Sequence, residues 1–254
     1  MREVAVLGIG QTKIDEHWDK SLRELAGEAS LSAINDSSTN NVQAVYVGNM
    51  MSGSANKQQH LGAYLADWIG LRYSEAMRIE AACSSGAAAF RAAVMAVASG
   101  DVDCALAVGV EKMTDSPGAE ITAQLATAAD ADWEVDQGIS FVALNALLMK
   151  RYMHVYKWQH EHFAPFSINA HANGVNNPNA RFRSAITEKD YLRAGVIADP
   201  INLMDASPMG DGAAAALIVP VEMAKKYSQI IIQVIGSSAA TDTIAVHHRS
   251  DPLW

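Results

Sequence analysis

Between Gly86 and Ala98 the chain carries one charged residue, Arg91; every other position is Ala, Val, Met, Phe or Gly. Alanine-rich stretches of this kind are strong helix formers. A helix apolar nearly all round is buried nearly all round. The alanines let a second helix approach closely, so the segment is expected in the middle of a layered protein, covered on both sides.

The rest of the chain supplies layers. Short apolar runs at Val4–Gly10, Val42–Gly48, Met77–Ala82, Cys104–Val110 and Ala213–Val219 read as strands buried on both faces. Ser21 with Glu24 forms a capping box that opens a helix, and Gln58 to Ile69 reads as a second helix ending at Gly70. Strands alternating with helices predict an α/β fold with a mixed or parallel sheet. From about Glu111 to Pro200 this rhythm breaks. Phe141, Leu144, Leu148, Tyr152 and Val155 share one face of a helix, and the stretch Asn173–Asn179 reads as a polar turn. An insertion of that size between strands is expected to be a lid or binding subdomain, with the aromatic stripe as packing.

The formal net charge of -9, with no clustered Lys/Arg stripe, argues against a nucleic-acid partner. No stretch is expected to span a membrane, and Val4–Gly10 follows Met1 too closely for a secretory signal. Two cysteines make no disulfide framework, and a reducing cytoplasm is the simplest setting. Cys104, in an apolar run, is expected to act as a small buried hydrophobe.

Cys83 is different. In Arg78-Ile-Glu-Ala-Ala-Cys83-Ser-Ser-Gly-Ala-Ala-Ala-Phe90 an extended run delivers a cysteine onto a Ser-Ser-Gly turn, and a helix starts at once. The positive end of a helix favours a thiolate there, which is how a cysteine nucleophile is built. A buried structural cysteine is the other reading of the same residues. Gly8-Ile9-Gly10 is not a dinucleotide fingerprint, because Lys13 stands where the third glycine belongs and the helix begins near Ser21. His160 and His162 lack company at ligand spacing, so no metal site is expected. His171, beside Asn169 and Asn173, is kept as a candidate substrate-binding residue, with a solvated turn as its alternative. Asp205-Ala-Ser-Pro-Met-Gly-Asp211-Gly-Ala-Ala reads as a turn that lets backbones pack closely.

Glu80-Ala-Ala-Cys83-Ser-Ser-Gly86 followed by Ala-Ala-Ala-Phe-Arg resembles the nucleophile motif of the thiolases. Ala98-Ser99-Gly100, Val108-Gly-Val-Glu-Lys-Met113, Arg151-Tyr-Met-His154, Asn176-Asn-Pro178, Ile197-Ala-Asp-Pro200 and Asp205–Ala214 are similar to later stations of that family, in its archaeal and sterol-carrier-like acetyl-CoA acetyltransferase branch. The resemblance implies a layered fold of two similar halves, each a five-stranded mixed sheet with helices on both faces. It places an N-terminal half at 1–111 and 200–228, an inserted coenzyme A-binding loop domain at 112–199, and the start of a truncated second half at 229–254. It implies acyl transfer from acyl-CoA to Cys83, then reversible condensation with a second acyl-CoA. Coenzyme A thioesters are substrates and no cofactor is held permanently.

The resemblance also implies a histidine motif and a Gly-Gly-His segment further on. None of the histidines here occupies it; His247 and His248 lie too early. Three readings follow: an acyltransferase chain whose second half comes from a partner chain, a non-catalytic acyl-CoA-binding or assembly subunit, or an inactive truncated product. The expected partners are acyl-CoA and a homo-oligomer mate or complementing chain. The family branch adds 3-hydroxy-3-methylglutaryl-CoA synthase with a small scaffold protein. Strand Ile230–Ile235 is expected to lack sheet neighbours.

Overall fold

A computed structural model describes residues 1–253 of the chain. In order, its elements are β1 (Val4–Gln11), α1 (Leu22–Ser37), β2 (Ala44–Gly48), α2 (Ser52–Ala55), α3 (Leu61–Trp68), β3 (Glu75–Ile79), α4 (Ser85–Ser99), β4 (Ala105–Glu111), α5 (Gly118–Ala126), α6 (Phe141–Tyr156), α7 (Ala164–Asn176), α8 (Glu188–Arg193), β5 (Val196–Ala198), β6 (Ile201–Asn202), β7 (Gly212–Pro220), α9 (Val221–Tyr227) and β8 (Ile232–Gln233). They form two units. The first is Met1–Asp115 with Gly210–Ala239; the second is Ser116–Met209 with the segment from Ala240 on.

The first unit is built on a mixed sheet in the order β3-β2-β4-β7-β1-β8. Strands β3, β2 and β4 run parallel, in a register that sets Gly48 beside both Ile79 and Gly109, so their C-terminal ends lie level. Strand β7 is antiparallel to β4 and β1. The expected five strands are present, and β8 adds a two-residue sixth. Strand β8 pairs antiparallel with β1 (Ala5 with Gln233, Val6 with Ile232), so the Ile230–Ile235 stretch does have a sheet neighbour. Backbone hydrogen-bonding capacity along β1 explains this: an open strand edge is filled by whatever extended chain lies beside it.

Period-two alternation sends alternate residues of each inner strand to opposite faces. Val45, Val47, Leu106, Val108, Leu217 and Val219 pack with Leu25, Ala29 and Ala33 of α1 and with Leu61 and Leu65 of α3. On the other face Ala44, Tyr46, Ala105, Ala107 and Ile218 pack with Ala89, Ala93 and Val97 of α4. Both faces are therefore apolar, as the continuous hydrophobic runs require. Edge strand β3 is the exception, half-buried to exposed along its length.

Helix α1 starts at the expected capping box: Ser21 Oγ accepts from Glu24 N, and Glu24 Oε2 accepts from Ser21 N at 2.8 Å. The second helix is shorter than expected, beginning at Leu61 rather than Gln58. The Gly-Ile-Gly run serves helix packing. A Cβ on Gly8 would lie 2.3 Å from Ala33 O, and one on Gly10 2.1 Å from Ala29 O, so α1 presses directly on β1. Helix α4 sits against the sheet in the same way. A Cβ on Gly48 would lie 2.3 Å from Ser85 O and 2.6 Å from Gly86 Cα, and a Cβ on Gly109 would lie 3.4 Å from Gly86 Cα.

Helix α4 is not buried all round. Ala89, Ala93 and Val97 are fully buried, whereas Met95 is 53% exposed. Its apolar character also exceeds the sequence expectation: Ala82–Ser99 is long and apolar enough, by length and composition, to cross a membrane. Here that composition supplies the small side chains that let α4 lie on the alanine-lined face of β2 and β4.

A buried polar cluster joins the end of β4 to the start of β7. Asp211 is fully buried and accepts from Lys112 Nζ (2.9 Å), Met113 N (2.7 Å), Thr114 N (3.0 Å), Thr114 Oγ1 (2.5 Å) and His17 N (3.0 Å). Lys112, also buried, adds Asp115 Oδ1 at 2.7 Å. The glycine-punctuated turn at Asp205–Ala216 thus does more than bring backbones close: it delivers a carboxylate into the fold.

In the second unit Ser140 Oγ caps α6, and a Thr187–Asp190 capping box opens α8. Leu144 on the α6 stripe is buried and Tyr152 packs edge-on to Trp158 and Phe163, but Phe141 and Val155 are each 39% exposed. The Asn173–Asn176 stretch is helical, not a turn, because α7 runs on to Asn176; the turn begins at Asn177. Backbone hydrogen bonding propagates along a helix cooperatively and carries past unfavourable residues such as Gly174. Asp199–Pro200, between β5 and β6, is a cis peptide. Beyond Ala240, Val246 N donates to Glu134 Oε1 at 2.8 Å and His247 packs edge-on to Trp133.

Burial alone would raise the Asp211 carboxyl, but the Thr114 and Lys112 bonds outweigh it and hold it at about 2, against an ordinary 3.8. The stability it contributes is whole above the unfolded value and is lost as pH falls from near 4 through 2. It amounts to roughly 2 kcal/mol at neutral pH. Asp211→Asn strips Lys112 of its buried counter-charge and should cost about 3 kcal/mol. Urea unfolding at neutral pH and in this acid window checks both statements; an unchanged midpoint overturns them. Gly48→Ala drives a methyl group into the Ser85 backbone, and melting should show a loss of about 2 kcal/mol.

Candidate functional site

Cys83 lies in the first unit, between the end of β3 and the first turn of α4, and is exposed. Three side chains or backbone features shape this turn. Ala82 has φ +47°, a left-handed conformation that a residue with a Cβ adopts at a cost of roughly 1 kcal/mol. Glu80 Oε1 holds it by accepting from Ala82 N at 2.5 Å. Buried Ser85 closes the turn from the other side: its Oγ accepts from Ala81 N at 2.9 Å and donates to Ala82 O at 2.6 Å. Ser84 N donates to Ala81 O and Ser85 N to Ala82 O, so the chain is already turning into the helix as it passes Cys83.

The sulfur therefore stands at the N-terminus of a 15-residue helix. Helix N-termini present amide groups and the positive end of the peptide dipoles, which stabilise a thiolate and an anionic intermediate formed on it. Gly48, Gly86 and Gly109 fix where that N-terminus sits on the sheet. The site lies at the C-terminal ends of parallel strands, where sheets of this kind place ligands.

Cys104 contrasts with it. Fully buried, its thiol is pushed up to about 12 by burial, which matches an inert core residue. His17 and His60 are the histidines of the first unit; His17 Nε2 pairs with Lys13 O at 2.8 Å, and no hydrogen bond joins either ring to Cys83 among the described residues.

His171 belongs to the second unit, on α7 rather than in a solvated turn. Its Nδ1 donates to Ser184 O at 3.0 Å and its ring stacks on Phe182 at 6.4 Å. The nitrogen left over is Nε2. His160 is placed by a network: its Nε2 lies 3.0 Å from Asp205 Oδ2 and 2.9 Å from the hydroxyl of buried Tyr191, which donates to Asp205 Oδ1 at 2.6 Å. Asn202 N and Asn202 Nδ2 complete it through Asp205 Oδ2 and Tyr191 O. Burial and the Asp205 bond raise the Tyr191 hydroxyl, so it remains a donor. Among the described residues no group of His, Cys, Asp and Glu could hold a metal ion.

Residues missed at the sequence level are Glu80 and Ser85, which brace the turn, and Gly48 and Gly109, which seat the helix. Their signal was present as a Glu three residues before Cys83, a second Ser two residues after it, and strands ending in glycine. Which helix each glycine meets depends on strand order.

Residues 4–222 match the model of the thiolase N-terminal domain. The chain is 43% identical to an acetyl-CoA acetyltransferase of Methanothermobacter thermautotrophicus, over 99% of this chain and 66% of that protein. It is 39% identical to an acetyl-CoA acetyltransferase of Methanocaldococcus jannaschii, over 98% of this chain and 64% of that one. It thus spans less than two thirds of the length of these curated relatives. The solved Ltp2-ChsH2(DUF35) aldolase has the same fold, with a TM-score of 0.78 at 22% identity, over 98% of this chain and 65% of that one. A matched N-terminal domain, relatives of this similarity and a cysteine on a braced turn at a helix start agree: this chain belongs to the thiolase family.

Proposed function

We propose that the chain is the nucleophile-bearing part of an acyl-CoA C-acyltransferase that interconverts acetyl-CoA and acetoacetyl-CoA, with Cys83 as the acyl acceptor. The observation that carries this reading is the exposed Cys83 sulfur on the Glu80–Ser85 turn at the start of α4. The thiolate attacks the thioester carbonyl of acyl-CoA, the carbonyl pair moves onto oxygen, and collapse expels coenzyme A as its thiolate, which takes a proton. The product is an acyl thioester on Cys83. Condensation then needs a base to remove an α-proton from a second acyl-CoA. The resulting carbanion attacks the Cys83 thioester and releases the thiolate.

The base is proposed to lie outside these 254 residues. General bases contribute about 10²–10⁴-fold, so acylation is expected to proceed without it far better than condensation. In the second unit, His171 Nε2 is the proposed contact to the coenzyme A thioester, with Nδ1 tied to Ser184. A reducing cytoplasm is the proposed setting, consistent with an unpaired, reactive Cys83.

A second reading is an acyl-CoA-binding or assembly subunit. It is favoured by the solved neighbour that is itself a complex with a DUF35 protein. The partners proposed for such an assembly are a small scaffold protein and 3-hydroxy-3-methylglutaryl-CoA synthase.

With radiolabelled acetyl-CoA, the 254-residue chain should take up close to one acetyl group, mapped to the Cys83 peptide and lost in Cys83→Ala. It should form no acetoacetyl-CoA. Absence of label, or label elsewhere, sinks the acyltransferase reading. Efficient condensation by this chain alone removes the need for an outside base, and a Cys83→Ala chain that still assembles with partners favours the second reading.

A further inference from the structure

Two successive peptide groups just beyond β2 are each held from both ends by side chains of the neighbouring strands. In the peptide joining Asn49 to Met50, the carbonyl accepts from Arg78 Nε at 3.0 Å and the amide donates to Glu111 Oε1 at 2.5 Å. In the next, Met50 O accepts from Arg78 Nη2 at 2.6 Å and Met51 N donates to Glu111 Oε1 at 3.3 Å. Arg78 comes from β3 and Glu111 from the end of β4, on opposite sides of β2. The two side chains thus face each other through a pair of amides. Each amide turns its oxygen to the cation and its N–H to the carboxyl, so the four bonds polarise one another in the same sense.

Position gives this clamp its consequence. Strand β3 is the sheet edge with β2 as its one neighbour, and Cys83 follows shortly after it ends. Ties at that end are few: Asn49 N donates to Ile79 O at 3.2 Å, and Asn49 Nδ2 fastens the loop to Val110 O at 2.8 Å. Arg78 also reaches Gln59 Oε1 at 3.1 Å. We propose that Arg78 and Glu111 are positioning residues for Cys83: by clamping the Asn49–Met51 peptides between β3 and β4 they fix the strand end from which the nucleophile turn begins. This inference rests on the reading of Cys83 as the reacting thiol.

Glu111 Oε2, the oxygen outside the clamp, is buried with no hydrogen-bond partner. Burial raises the carboxyl, while the Met50 and Met51 amides pull the other way. A neutral side chain of the same shape should therefore serve, since the Oε1 of glutamine accepts the same two amides.

The test is the rate at which iodoacetamide alkylates Cys83 in the full chain, followed by peptide mass mapping from neutral to mildly alkaline pH, below each variant's melting temperature. Arg78→Ala and Glu111→Ala should each slow alkylation by about tenfold, and the double variant should be no slower than either, as expected for two halves of one device. Glu111→Gln should stay within about twofold of the parent, because it keeps the acceptor. Arg78→Lys, which cannot span two carbonyls, should be slow while remaining folded; with Glu111→Gln it decides the matter if the alanine variants do not fold. Additive effects, a Glu111→Gln protein as slow as Glu111→Ala, or rates that stay level while melting temperatures fall would each overturn the clamp. Alkylation involves no acyl-CoA, so the two proposals fail separately. Clamp-dependent alkylation without acetyl uptake refutes acyl transfer alone, and normal acetyl uptake with indifferent alkylation refutes the clamp alone.

Discussion

Direct backbone contact between α4 and the ends of β2 and β4 is the constraint on which the first unit depends. No side chain separates Gly48 from the Ser85–Gly86 backbone, or Gly109 from Gly86. Van der Waals attraction falls away steeply with distance, so a helix seated this close is fixed in height as well as direction. Everything that makes Cys83 useful follows from that seat. The turn before the helix must be tight enough to reach it, which is why Ala82 accepts a left-handed conformation and why Ser85 and Glu80 hold the turn from both sides. Small residues continue the same logic along α4, where Ala89 and Ala93 meet Ala105 and Ala107.

Buried charge is handled differently in two places on the same strand. Next to the end of β4, Lys112 and Asp211 are both desolvated but paired and fully hydrogen-bonded, which keeps both ionised. One residue earlier, Glu111 has amide donors on one oxygen and nothing on the other, and its carboxyl is raised. Adjacent positions in sequence thus have opposite electrostatic fates: the Lys112 ammonium meets two carboxylates that accept from it, whereas one oxygen of the buried Glu111 carboxyl meets no donor. The second unit adds a further arrangement in which one carboxylate, Asp205, gathers Tyr191, His160 and Asn202 from three separate segments. Such a network specifies one packing of those segments because every member is satisfied.

Elements whose signal is local were legible. Ser21 and Glu24 marked the start of α1, the apolar runs located all five main strands, and the Cys83 turn was visible from the cysteine, the Ser-Ser-Gly and the alanines behind it. Misreadings came where tertiary context overrules local preference. Asn173 and Gly174 favour turns, yet α7 carries them as helix up to Asn176. The apolar surround of α4 suggested burial on all sides, yet Met95 is exposed. Asp211 sat in a glycine-rich stretch that looked like a spacer, and the five donors around its carboxylate come from two distant segments, Lys112–Thr114 and His17, that no local pattern connects.

By itself, the sequence determined which residue is the nucleophile candidate, that strands and helices alternate, and that the run from about Glu111 to Pro200 stands apart. These depend on periodicity, capping and turn chemistry, all of which act within a few residues. Strand order was decided only by the tertiary structure, and with it which glycines meet α4 and which carboxyls are buried among donors. It also decided that Arg78 and Glu111 face each other through two peptides of the loop between their strands. The reason is physical: desolvation and close packing depend on what lies across the sheet, and sequence neighbours carry no record of it.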